Sequence, residues 1–101
     1  MIAKIIIKRR FKEGNNKQIL ALLKEMRSKA MTYPGYISGE TLMKPGYPYN
    51  MIIICSWQSL EDWEKWKSSE TRKKYEAMLE LYQTRPTQYE EYLLGTTLTK
   101  D

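Results

Sequence analysis

The 101-residue chain contains no histidine, one cysteine (Cys55) and one phenylalanine (Phe11). Without imidazole, a Ser-His-Asp relay, most zinc sites and the usual proximal haem ligand are excluded. A single cysteine forbids any intrachain disulfide. Cys55 closes the apolar run Ile52-Ile53-Ile54-Cys55, which reads as a buried strand. Its thiol is expected to be a small core group and not a nucleophile, since nothing like a histidine is present to activate it. No apolar run approaches the roughly 20 residues needed to span a bilayer. The opening stretch, Met1-Ile2-Ala3-Lys4-Ile5-Ile6-Ile7-Lys8, is interrupted by lysines and lacks the apolar region and cleavage site of a signal peptide. A cytoplasmic protein with no membrane partner is the expectation. A Gly-rich dinucleotide fingerprint is also missing, so no bound cofactor and no metal are expected.

What is present is a globular composition. An apolar share of 42% over residues 1–101 suits one domain with a modest core. The net charge of +5 concentrates in Lys8-Arg9-Arg10 and Arg72-Lys73-Lys74. Such clusters permit phosphate contacts. Acidic residues interleave with the second, however, and no nucleic-acid motif accompanies either, so both read as solvated faces and no nucleic-acid partner is expected.

Residues 2–11 suit a strand, isoleucine-rich and alternating with Lys4, Lys8 and Arg10. Gly14 and Asn15-Asn16 supply a turn and an N-cap, and Ile19, Leu22, Leu23, Met26 and Ala30 then recur at helical spacing. Pro34-Gly35 ends that helix. Tyr36 to Met43 and Tyr49 to Trp57 read as an antiparallel hairpin around Pro45-Gly46. Ser59-Leu60-Glu61-Asp62 resembles a capping box opening a short helix. Ser68 or Ser69 caps another, with Tyr75, Met78, Leu79 and Tyr82 inward, and Gln88 to Leu98 forms the last strand. The order β-α-β-β-α-β is the ferredoxin-like α+β arrangement, an antiparallel sheet with helices on one face.

In the third strand Met51, Ile53, Cys55 and Trp57 point one way, Ile52 and Ile54 the other. The last strand likewise offers Tyr89, Glu91 and Leu93 on one face, with Tyr92 and Leu94 on the opposite one. Helices on one side cannot cover both faces, and an apolar sheet face of this size normally marks an interface. A homodimer packed sheet to sheet is the expected assembly.

All three tryptophans fall in the segment "SWQSLEDWEKWKSSETRKKYE", residues 56–76. With "PGYISGETL" at 34–42, it resembles the antibiotic biosynthesis monooxygenase (ABM) domain: a strand ending in Trp, an acidic capped helix carrying W..W, then S-[DE]-x-R opening the next helix. The likeness runs through nearly the whole chain. It implies a dimeric α+β barrel in which each subunit keeps a pocket between helices and sheet. Family members include cofactor-independent monooxygenases of polycyclic phenols and quinols, and haem-degrading enzymes.

Carried over residue by residue, the resemblance matches Trp66 to a tryptophan of the haem degraders. Their histidine falls at Glu76 and their asparagine near Ile7, so haem binding or degradation is disfavoured. In the phenol-oxidising type, Trp57 matches a strand-end tryptophan, while Trp63 falls near a functional tyrosine and Ile53 near a functional asparagine. The expected function is therefore a cofactor-independent monooxygenase of a small aromatic phenol or quinol. The alternatives are a non-catalytic binding dimer with the same pocket and an interaction protein whose indoles are only core. Trp57, Trp63, Trp66 and Tyr75 are the expected ligand-binding residues. Candidates for proton handling or anion binding are Glu76, Tyr75 and Arg72, with Glu40, Tyr36 and Tyr82 as further titratable groups within possible reach of the pocket.

Overall fold

The structure, a computed structural model, describes residues 1–95. Its elements are β1 (Ala3–Arg10), α1 (Asn16–Ala30), β2 (Tyr36–Lys44), β3 (Tyr47–Trp57), α2 (Leu60–Lys67), α3 (Glu70–Glu80) and β4 (Gln88–Leu93). All pairings are antiparallel and the sheet order is β2-β3-β1-β4, the ferredoxin-like arrangement. The expected end of the last strand at Leu98 lies outside the described residues. Among the described residues, no helix is long and apolar enough to cross a membrane.

Period-2 alternation decides which face is covered. On β1, Ala3, Ile5, Ile7 and Arg9 are buried, whereas Lys4, Ile6 and Lys8 between them are only half-buried. Register then sets the other strands: Ile5 lies opposite Cys55 and Glu91, and Ile7 opposite Ile53 and Tyr89. Ile19, Met26 and Ala30 of α1, Trp63 and Trp66 of α2 and Leu79 of α3 complete the core on the same side. The opposite face carries Ile6, Ile52 and Ile54 with exposed Leu42, Tyr92 and Leu94, and no helix among the described residues covers it.

Two local devices aim the site. The first is a bulge in β2, where Tyr36 pairs with Trp57 but Ser38 pairs with Ser56, leaving Ile37 as the extra residue. Without it, Tyr36 would share the outward phase of Ser38 and Glu40; the added residue turns Tyr36 inward. The second is a double serine stop. Ser68 Oγ donates to the Glu64 carbonyl at 2.7 Å, closing α2, and Ser69 Oγ accepts the backbone N–H of Arg72 at 3.1 Å, opening α3. Ser59 opens α2 in the same way, accepting the Asp62 N–H at 3.0 Å.

One boundary, one cap and one burial expectation are refined. β3 starts at Tyr47, ahead of Tyr49, because the Pro45-Gly46 turn is tight: Gly46 takes φ +83° and Lys44 already pairs with Tyr47. Asn15 occupies the N-cap of α1 but makes no side-chain cap bond, its amide instead donating to the Glu13 carbonyl at 3.4 Å. The two basic clusters are not wholly solvated, because Arg9 and Arg72 are each only 3% exposed.

Candidate functional site

A cavity of about 550 Å³ lies between the inner sheet face and α1, closed at one side by α2 and α3. That volume suits a small organic ligand, for which roughly 300–1,000 Å³ is usual. It exists because β2 presents little there. Gly39 and Thr41 face inward, and a Cβ on Gly39 would come within 3.0 Å of the Tyr36 hydroxyl and 3.6 Å of Arg27 Nη2. Glycine thus leaves room for a phenol and a guanidinium on one wall. Arg27 is braced across the opening by a 3.1 Å hydrogen bond to Thr41 Oγ1.

The aromatic walls are set at angles to one another. Trp57 meets Tyr36 edge to face at 5.4 Å between ring centroids and Trp63 at 6.2 Å, while Trp66 is held by Tyr33 at 4.7 Å. Edge contacts of this kind fix ring orientation beyond simple burial. The Trp63 indole N–H donates to Glu91 Oε2 at 2.7 Å, which locks the ring and holds the Glu91 carboxyl below its usual range. All three tryptophans line the cavity.

At the α3 end two buried arginines stand side by side. Arg9 is held by four hydrogen bonds: Nη2 donates to Glu76 Oε1 at 2.9 Å, and Nη1 to Glu76 Oε2, Gln83 Oε1 and Thr87 Oγ1 at 3.0–3.1 Å, which leaves only its buried Nε without a partner among the described residues. Thr87 also donates to Glu76. Burial alone would raise the Glu76 carboxyl, but the charge and hydrogen bonds of Arg9, the Thr87 hydroxyl and the charge of Arg72 outweigh it and hold the group low.

Arg72 differs. Its Nη2 is 3.6 Å from Glu76 Oε1, too far to hydrogen-bond, and among the described residues Nε and Nη2 are buried with no partner. The guanidinium lies over both Trp63 and Tyr89, 5.3 Å from each ring centroid, with the two rings 6.1 Å apart on the same side of it. Nearby, the buried Trp57 indole N–H also lacks a hydrogen bond of normal geometry. It leans toward Cys55 and favours the thiolate a little, yet burial dominates and pushes that thiol up. Unpartnered N–H donors of Arg72 and Trp57, with the Nε of Arg9, therefore sit beside an apolar, aromatic space.

The structure brings Trp57, Trp63, Trp66 and Arg72 together around the cavity, and leaves two expected residues out. Tyr75 lies on the α1-facing side of α3, where its hydroxyl donates to Glu25 Oε1 at 3.2 Å. Glu76 is behind the cavity wall, engaged by Arg9. Glu40 pairs with Ile54 on the outer face and cannot reach the space. Tyr82 packs against the core without lining it, whereas Tyr36 does line it. Arg9 and Arg27 are the functional candidates that sequence reasoning passed over. For Arg9 a signal existed, because it continues the inward phase Ala3, Ile5, Ile7. Among the described residues, no cluster of His, Cys, Asp or Glu could hold a metal ion.

Residues 2–78 match the family profile described as antibiotic biosynthesis monooxygenase. No match is found among curated protein sequences. Solved structures with the same fold include SnoaB, described as a cofactor-independent oxygenase from Streptomyces nogalater, at TM-score 0.82 and 10% identity over 98% of both chains. A conserved protein from Methanosarcina mazei Go1 superposes at TM-score 0.84 with 14% identity over 91% of both chains. Rv0793 from Mycobacterium tuberculosis gives TM-score 0.82 and 14% identity over 98% of this chain and 100% of that one. At such identities these likenesses establish the fold alone.

Proposed function

Given that the chain belongs to the antibiotic biosynthesis monooxygenase family, we propose that it is a cofactor-independent monooxygenase of a small aromatic phenol or quinol held in the cavity. One observation carries this reading. An indole-walled space of about 550 Å³ ends on Arg72, a buried guanidinium with unpartnered N–H groups. A flat ligand would fill the aromatic slot, and its oxygen would receive hydrogen bonds that the fold leaves unmade. The description of SnoaB as a cofactor-independent oxygenase supports the same chemistry.

For an anthrone-type substrate the stoichiometry closes without a cofactor. The ring methylene becomes a carbonyl with one atom of dioxygen. The other atom leaves as water with both methylene hydrogens, and the substrate carbon supplies all the reducing electrons. The chain's part is to bind the ring, to stabilise the electron-rich anion through Arg72 and to exclude water. The uncovered sheet face, with Ile6, Ile52, Ile54, Leu42 and Tyr92, would be buried against a second copy.

A ligand-binding protein without turnover is the second reading. Ile7 and Ile53 favour it, since both line the cavity where the family resemblance places polar asparagines. Oxygen-electrode assays with naphthoquinols and anthrones separate the two. The enzyme reading expects protein-dependent oxygen uptake that Trp66→Ala abolishes. No uptake with any of them, together with quenching of tryptophan fluorescence, would leave binding alone.

A further inference from the structure

The charged groups lining the cavity are all of one sign. Arg9 from β1, Lys24 and Arg27 from α1, and Arg72 from α3 contribute cations, and among the described residues no carboxylate lines it. Nor is a base at hand on any other element. β2 contributes the Tyr36 phenol, which burial pushes up against the opposing pull of Arg27. β3 contributes the Cys55 thiol, also pushed up by burial.

The carboxylates packed near Arg72 are already engaged, and Glu76 lies 3.6 Å from Arg72 itself without hydrogen-bonding it. On α3, Glu76 binds Arg9 and Thr87; on β4, Glu91 binds the Trp63 indole and Lys67. Tyr89 of β4 offers Arg72 its ring face. The site can therefore stabilise negative charge but contains no ready acceptor for a proton.

We infer that the cavity takes its aromatic ligand as a preformed anion, selecting acidic phenols, enols and aryl carboxylates over neutral compounds of the same shape. This deepens the reading above and rests on the same cavity, yet it concerns binding and not oxygen chemistry. A buried guanidinium without hydrogen bonds gains most from a charged acceptor, because its desolvation is already incurred in the fold. The cations at Lys24 and Arg27 would add attraction for an incoming anion, in a manner weakened by salt. The protein then fixes charge while the ligand's own acidity fixes when charge is available.

Anaerobic calorimetry with matched aromatic probes tests the inference independently of turnover. 2-Naphthoate should bind the wild-type protein at least tenfold more tightly than 2-naphthamide at neutral pH. For 1-naphthol and the more acidic 2,4-dichloro-1-naphthol, the pH midpoint of binding should follow each ligand's own ionisation. Arg72→Gln, checked for native folding by circular dichroism, should bring the acid and the amide to within threefold of one another. Equal binding of acid and amide by the wild type, a common midpoint for the two naphthols, or no binding of any probe would each overturn the inference. Failure of oxygen uptake with intact charge selection would sink only the oxygenase reading.

Discussion

Two arginines close the same cavity, and their surroundings differ in kind. Arg9 is tied by four hydrogen bonds to Glu76, Gln83 and Thr87, while Arg72 makes none through its side chain to the described residues. Both guanidiniums are taken out of water, so both incur a desolvation penalty of several kcal/mol. At Arg9 the fold answers most of that penalty internally and leaves only Nε without a partner. At Arg72 aromatic faces and the Glu76 carboxylate at 3.6 Å answer it without a hydrogen bond, and the rest awaits an acceptor. One arginine belongs to the architecture; the other belongs to whatever enters.

Breaking the hydrogen-bonded side should have the largest effect. Glu76→Gln leaves the buried Arg9 cation uncompensated and is expected to lower unfolding free energy by about 3–5 kcal/mol, read from urea denaturation at pH 7. The same pair gives a pH dependence. Because the folded Glu76 carboxyl is held low, its contribution is complete above the unfolded carboxyl's range, near about 4.3, and is lost as pH falls through the lower folded value. The gap between wild type and Glu76→Gln should therefore narrow as denaturation is repeated at progressively lower pH below 4.3. A gap constant with pH would show that the carboxylate is not stabilised by Arg9.

Thr87→Val removes one hydroxyl from that network and should cost about 2 kcal/mol, the scale of a hydrogen bond to a charged group. On the Arg72 side the expectation inverts. Arg72→Met removes a cation with poor hydrogen bonding but also its aromatic stacking, so unfolding free energy should change by less than about 1 kcal/mol. A loss comparable to that of Glu76→Gln would erase the distinction between the arginines. Tyr75→Phe sharpens the comparison from outside. It deletes only the exposed bond to Glu25, so stability should move by less than about 0.5 kcal/mol and probe binding should stay unchanged.

Much of this arrangement is legible in the residues, for identifiable reasons. Strand and helix periods place Ile5, Ile7 and the Met51-to-Trp57 series inward, and the serine pair at 68–69 divides the second helical region as its capping chemistry requires. The indole wall is legible too, since all three tryptophans lie on β3 and α2. What eludes a linear reading is side-chain partnership across long separations. Glu76 meets Arg9 from 67 positions away, and nothing local to either reveals that the pair is mutual. Tyr75 shows a different limit: helical spacing puts it on an inward face and it does pack against the core, but α1 approaches that face and supplies Glu25, so its hydroxyl does not reach the cavity. The direction of Tyr36 depends on a one-residue bulge, which strand alternation by itself reads with the wrong phase.

The paired serine stops between α2 and α3 carry one more implication. The indoles Trp63 and Trp66 ride on the first helix, and the guanidinium of Arg72 rides on the second, with Ser69 fixing its register from the first turn. The same Ser69 hydroxyl also donates to the Trp66 carbonyl at 2.7 Å, so one oxygen closes the helix of the indoles and opens the helix of the cation. A shift of either helix is therefore passed to the other through that atom. The slot that measures ring size and the cation that reads charge are then geared together, and a change in one resets the other.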